Sequence, residues 1–204
     1  MHSAKDALER LREGNRRFAA GEFHAESFAS RAHQAGMSGG QDPIAVILAC
    51  SDSRVPVELV FDQGFGDLFV IRVAGNVVAP SQIGSIEFAV NQFGTRLVVV
   101  LGHSNCGVVT AALRELSLVQ TLRSPNLRAI VDRVRPAIEP VLELHCDSDE
   151  DTLTRAAVRA NIQASVEKLA HGSRILEQLI GEGSLEIIGA EYSIESGSVA
   201  FFEA

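Results

Sequence analysis

Residues 44–54 read IAVILACSDSR, and residues 97–107 read LVVVLGHSNCG. Each is a short run of Val, Ile, Leu and Ala that breaks into a polar segment rich in Cys, His, Ser and Asp. Continuous β-branched runs of this length, without polar alternation, predict strands buried on both faces. Residues 67–74 (DLFVIRVA) and 185–190 (LEIIGA) repeat the pattern, and 198–202 predicts a fifth strand at the sheet edge. Between them lie stretches of helical period: 81–93, 108–118, 126–144 and 152–180. Strands alternating with helices predict an α/β fold, a mostly parallel central sheet of four to five strands flanked by helices.

Punctuation refines the helices. Pro136 is expected to kink or divide 126–144. The acidic cluster Asp147 to Asp151 favours a helix start at Thr152, Gly172 interrupts the helix that follows, and Gly181 and Gly183 end it. At the N-terminus, Ser3 with Asp6 three residues on forms a capping pattern. Ala4, Leu8, Leu11 and Phe18 then fall close to one helical face. That stripe must dock on this chain's own core or on a second subunit. Residues 20–42 hold four glycines and no long apolar period and read as a loop-rich connection. No repeat, low-complexity tract or linker divides the 204 residues, so a single domain is expected, with 1–40 as an N-terminal helical arm.

Composition bounds the partners. Lys plus Arg number 18 and Asp plus Glu 26, for a net charge of −8. An acidic chain is a poor main partner for nucleic acid or an anionic membrane. No apolar run approaches the roughly 20 residues that span a bilayer, and the charged N-terminus lacks a signal peptide's apolar centre. Three cysteines in a chain of this length fit a reducing compartment better than a disulfide scaffold. The cytoplasm is the expected location.

Both polar segments sit where apolar strands end, the rim at which open parallel sheets bind ligands. Cys50, His103 and Cys106 supply two thiols and an imidazole, a donor set that suits zinc. With three protein ligands the fourth position stays open, as in catalytic sites. With Asp52 as a fourth ligand the site is closed, as in structural ones. Arg54 is placed to grip the Asp52 carboxylate in bidentate fashion, which holds it off the metal and ionised. Against this stand plainer readings: a cysteine at a strand end as a small buried hydrophobe, and a structural zinc. Cys146, beside His145 in a polar stretch, has no such context and reads as non-functional.

The strings ACSDSRVP (49–56), GDLFVIRVAGN (66–76), GSIEFAV (84–90) and VVVLGHSNCGVV (98–109) together resemble the β-class carbonic anhydrases, strongly over residues 41–113. The resemblance implies one zinc per chain on Cys50, His103 and Cys106, with an Asp52–Arg54 dyad gating the fourth position. It implies reversible hydration of carbon dioxide to bicarbonate and a proton by zinc-bound hydroxide. It also implies a substrate pocket drawn from Gln41, Phe69, Phe88 and Gly107, with Gln41 and the Gly107 N–H as donors. The family works as a dimer or a dimer of dimers, whose N-terminal helices pack on the partner subunit. Phe88 stands where some members have tyrosine, and Gly75 where many have alanine. Ile47 stands where some bacterial members carry a tryptophan that favours the closed state, so the open form is expected. Two thiolates offset the zinc charge. The activity is therefore expected to rise further toward alkaline pH than at the three-histidine carbonic anhydrase site, where the figure of about 7 for bound water was established. His24 is one candidate to relay the proton. A carbonyl sulfide or carbon disulfide hydrolase on the same ligands is the nearest alternative activity, and a scaffold with an unreactive zinc is the non-enzymatic one.

Overall fold

A computed structural model describes residues 2–22, 40–117, 124–145 and 147–202. Five strands form one sheet: β1 (Ala45–Ala49), β2 (Leu68–Arg72), β3 (Leu97–His103), β4 (Glu186–Tyr192) and β5 (Val199–Phe201). Their order is β2-β1-β3-β4-β5, parallel throughout except for the antiparallel edge pair β4–β5. Among the described residues the helices are α1 (Ala4–Ala19), α2 (Val57–Val60), α3 (Pro80–Phe93), α4 (Gly107–Leu116), α5 (Pro125–Leu144), α6 (Glu150–His171) and α7 (Arg174–Gly181), with a 3₁₀ turn at Ala74–Asn76. The mostly parallel sheet with flanking helices is the architecture expected from the strand runs.

The sheet is covered on both sides, which is why its central strands read as unbroken apolar runs. On one face Val46, Leu48, Val98 and Val100 meet α3 to α7 through Ile86, Val109, Val134, Ile162 and Leu176. On the other, Ile47, Val99 and Leu101 meet Leu11 of α1 and Val57, Val60 and Phe61 around α2. Alternate side chains of one strand thus feed two cores, as the period of two requires.

Helix α1 begins at Ser3, whose Oγ accepts the Asp6 N–H at 3.1 Å and donates to the Asp6 carboxylate at 2.7 Å. Its buried stripe is Ala7, Leu11, Gly14 and Asn15, one step round from the stripe expected, with Ala4, Leu8 and Phe18 at its margin. Asn15 belongs there because every polar atom is used. Its amide donates to the Val60 and Gly197 carbonyls at 3.1 and 2.9 Å, and its oxygen accepts the Val199 N–H at 2.7 Å. The stripe is met by this chain's own core.

One local expectation changes. Pro136 does not divide α5, which runs unbroken from Pro125 to Leu144 with Pro136 and Pro140 inside it. Val131, Val134 and Ile138 on either side of Pro136 are buried, so packing holds the helix through the missing N–H. The break at Gly172 is as expected, separating α6 from α7, whose start is capped by Ser173. The short helix α2 and the 3₁₀ turn carry no clear period and were not legible in the sequence.

Candidate metal centre

The register of the sheet assembles the site. Ala49 pairs with Leu101 across β1–β3, so Cys50 leaves β1 beside the last residues of β3, where His103 lies. Cys106 follows three residues on, as the cap residue of α4. Cys50 Sγ, a His103 ring nitrogen and Cys106 Sγ lie within 4.8 Å of one another, and all three residues are buried. Among the described residues this is the one such cluster of three.

The imidazole is set for coordination. His103 is completely buried. Its Nδ1 lies 2.9 Å from the Ser104 carbonyl, which only accepts, so Nδ1 carries the hydrogen. Nε2 is left as a bare lone pair, buried and without a partner. A buried acceptor with nothing to accept is costly, and here it faces two thiols. That donor set fits a soft, tetrahedral cation such as zinc.

The thiols titrate as a pair. Cys50 is drawn well below its ordinary value by a hydrogen bond from Cys106, and further by the Gly75 N–H, which reaches Sγ at 3.3 Å. Cys106 is pushed up by giving that hydrogen bond to Cys50 and by burial. The Val108 and Val109 N–H groups in the first turn of α4 favour its ionised form, though no full capping bond reaches Sγ. Their mutual hydrogen bond thus favours a thiolate at Cys50 and a thiol at Cys106, in a place where a cation can bind.

Asp52 stands beside this cluster. Its Oδ1 accepts from Arg54 Nε at 2.9 Å and its Oδ2 from the Arg54 terminal nitrogen at 2.8 Å. The Arg54 backbone N–H adds a third bond at 3.0 Å. These donors, Arg54 first, hold the carboxyl far below its usual range. Oδ2 lies 3.9 Å from His103 Nε2. The bidentate Asp52–Arg54 pair is therefore present as expected.

The other expected residues are placed less uniformly. Gly107 opens α4 directly after Cys106, and the first N–H of a helix has no acceptor within it. Phe69 packs against the same apolar cluster as Cys50 and Cys106. Phe88 is 53% exposed and stacks with Phe69 and Phe93, at ring separations of 6.2 and 5.7 Å. Gln41 is exposed beside Gly66. Among the described residues neither Gln41 nor Phe88 makes a hydrogen bond or ring contact with Cys50, Asp52, His103 or Cys106. His24 and Cys146 lie outside the described residues.

Three contributors were missed in the sequence. Arg72, the last residue of β2, donates to the carbonyls of Cys50 and Asp52 at 3.1 and 2.5 Å. An arginine ending an apolar strand at the same rim was the available signal. Asn161 and Ser165 of α6 donate to the Gly75 and Asn76 carbonyls at 3.0 and 3.2 Å, fixing the turn that offers its N–H to Cys50. Nothing local in the sequence marks them.

Comparison with known proteins agrees with this geometry. The family model described as carbonic anhydrase matches residues 45–199. Carbonic anhydrase 2 of Mycobacterium tuberculosis is 40% identical over 193 residues, spanning 94% of this chain and 89% of its own length. Among solved structures, the β-carbonic anhydrase CcaA matches with a TM-score of 0.77 at 29% identity, over 96% of this chain and 87% of that one. A tetrameric β-carbonic anhydrase of Sordaria macrospora matches at 0.72 and 25%, over 88% and 93%.

Proposed function

This chain belongs to the β-class carbonic anhydrases, and from that membership we propose that it hydrates carbon dioxide reversibly to bicarbonate and a proton at one zinc ion held by Cys50, His103 and Cys106. The observation that carries the reading is the bare, buried His103 Nε2 facing two thiols, with a braced carboxylate 3.9 Å away. Zinc, when bound, supplies a Lewis acid that makes water acidic enough to serve as nucleophile.

The chain's own residues do the rest. Asp52 stays ionised because Arg54 holds both oxygens. It is thus an acceptor for the hydrogen of the attacking water, which it orients without taking the proton. The Gly107 N–H and the Gln41 amide are donors for the carboxylate oxygens as negative charge develops on them. Phe69 and Phe88 give the pocket an apolar wall suited to an uncharged gas. A reducing compartment, the cytoplasm, keeps both thiols available. The working assembly is a dimer or a dimer of dimers, a reading supported by the tetramers from Sordaria macrospora and by the half-exposed ring of Phe88.

Stopped-flow hydration from about pH 6.5 to 9, with zinc measured on the same sample, tests this. The expected result is a chelator-sensitive rate that rises with pH. One zinc per chain with no hydration at any pH overturns the reading. In that event turnover of carbonyl sulfide or carbon disulfide is the assay that follows.

A further inference from the structure

We propose that Glu195, on the turn between β4 and β5, is a positioning residue for the metal centre: its carboxylate fixes the Ser104–Asn105 loop between His103 and Cys106. The inference rests on the reading that these two residues, with Cys50, hold zinc.

The contacts converge from one side. Glu195 Oε2 accepts from Ser104 Oγ at 2.8 Å, and Oε1 accepts from Asn105 Nδ2 at 2.9 Å. Ser193 Oγ, at 3.1 Å from Oε2, steadies the carboxylate. The same turn donates its Ile194 N–H to Ser104 Oγ at 3.0 Å, and the Tyr192 carbonyl accepts the Ser104 N–H at 2.9 Å. The two residues between the ligands are thus tied to a hairpin some ninety positions away.

The loop has reason to need a brace. Asn105 has φ 56°, left-handed and uncommon for a residue with a side chain. In that conformation the Asn105 carbonyl faces Arg54, whose terminal nitrogen lies 3.5 Å away. Arg54 in turn grips Asp52. One run of contacts therefore links Glu195 through Asn105 and Arg54 to the Asp52 carboxylate. Without Glu195, Asn105 is free to relax to negative φ. The spacing of His103 and Cys106 and the third contact of Arg54 then change together.

The test uses E195A, E195Q and S193A in the full chain, with zinc affinity read by chelator competition and hydration read at saturating zinc. Loss of a group that orients metal ligands typically costs about 10–100-fold in metal affinity or activity. E195A is expected to lose zinc affinity in that range, with its thermal midpoint little changed. E195Q retains an oxygen for Ser104 and pairs with a turned Asn105 amide, so it recovers most of the loss. S193A removes one bond to the carboxylate and is expected to lose less than E195A. In an N105G background, where the loop adopts positive φ unaided, E195A is expected to cost less than in the parent. Should E195A fail to fold, N105A carries the test, with the same direction of loss expected. Parental zinc affinity in E195A, or in N105A in that case, overturns the proposal alone. A parent chain that binds no zinc overturns the metal reading with it.

Discussion

At the scale of single residues, Asp52 shows how one neighbour decides what a carboxylate can do. Three hydrogen bonds from Arg54 hold it ionised, so it has no proton to give or take near neutral pH. In the proposed reaction its contribution is direction. D52A is expected to keep its zinc but to lower the hydration rate by about 10²–10⁴-fold, the usual scale for losing a group that handles the reacting proton. Zinc content and stopped-flow rate on one sample check this, and a drop in zinc instead identifies Asp52 as a fourth ligand. Cys106 has the opposite profile. It is buried, it hydrogen-bonds to Cys50, and its sulfur is one of the three clustered donor atoms found among the described residues. C106S is expected to lose most of its zinc and most of its activity together, whereas a fully loaded, fully active variant removes Cys106 from the ligand set.

At the scale of elements, α6 acts on the candidate metal centre through the turn beside Cys50. Ile162 lies flat on the sheet because β3 and β4 present glycines beneath it. A Cβ on Gly102 would come within 2.5 Å of Ile162, and one on Gly189 within 2.8 Å. That close approach brings Asn161 and Ser165 over the 3₁₀ turn. Gly75 in the turn has φ 71°, and a Cβ there would lie 2.8 Å from Val108. The glycine noted as unusual in the sequence is therefore matched to its own neighbour. N161A leaves the buried Gly75 carbonyl unpaired and is expected to cost about 1–3 kcal/mol, read from urea denaturation. The accompanying sign is a weaker hold on zinc, since the same turn carries the N–H that favours the Cys50 thiolate.

At the scale of the whole molecule, two cores share one sheet, and a charged group beside them makes stability depend on pH. Glu191 on β4 has a side chain only 15% exposed, 3.6 Å from Arg159, whose guanidinium stacks over Phe202. Burial raises its pKa, and Arg159 only partly offsets this. A carboxyl whose pKa is raised in the fold costs nothing below its unfolded value of about 4.3. It destabilises as pH climbs through the folded value. E191Q is thus expected to match the parent in thermal midpoint near pH 4 and to exceed it near pH 8. A lower midpoint at pH 8 would show that the Arg159 pair outweighs burial.

The sequence by itself determined the strands, since short runs rich in Val, Ile and Leu, bounded by polar and glycine-containing segments, suit strands buried on both faces. It also named Cys50, His103 and Cys106 as candidate donors, from two thiols and an imidazole at strand ends, and the Asp52–Arg54 pair, whose partners lie two residues apart. Local spacing carries such information. Only the tertiary structure decided that Cys50 meets His103, through the β1–β3 register. It alone left Nε2 bare, brought Arg72, Asn161 and Glu195 to the site, and kept α5 whole across Pro136. These outcomes rest on contacts between residues up to about ninety positions apart. No period or motif encodes such contacts. They exist once packing has fixed which backbone groups face one another, and not before.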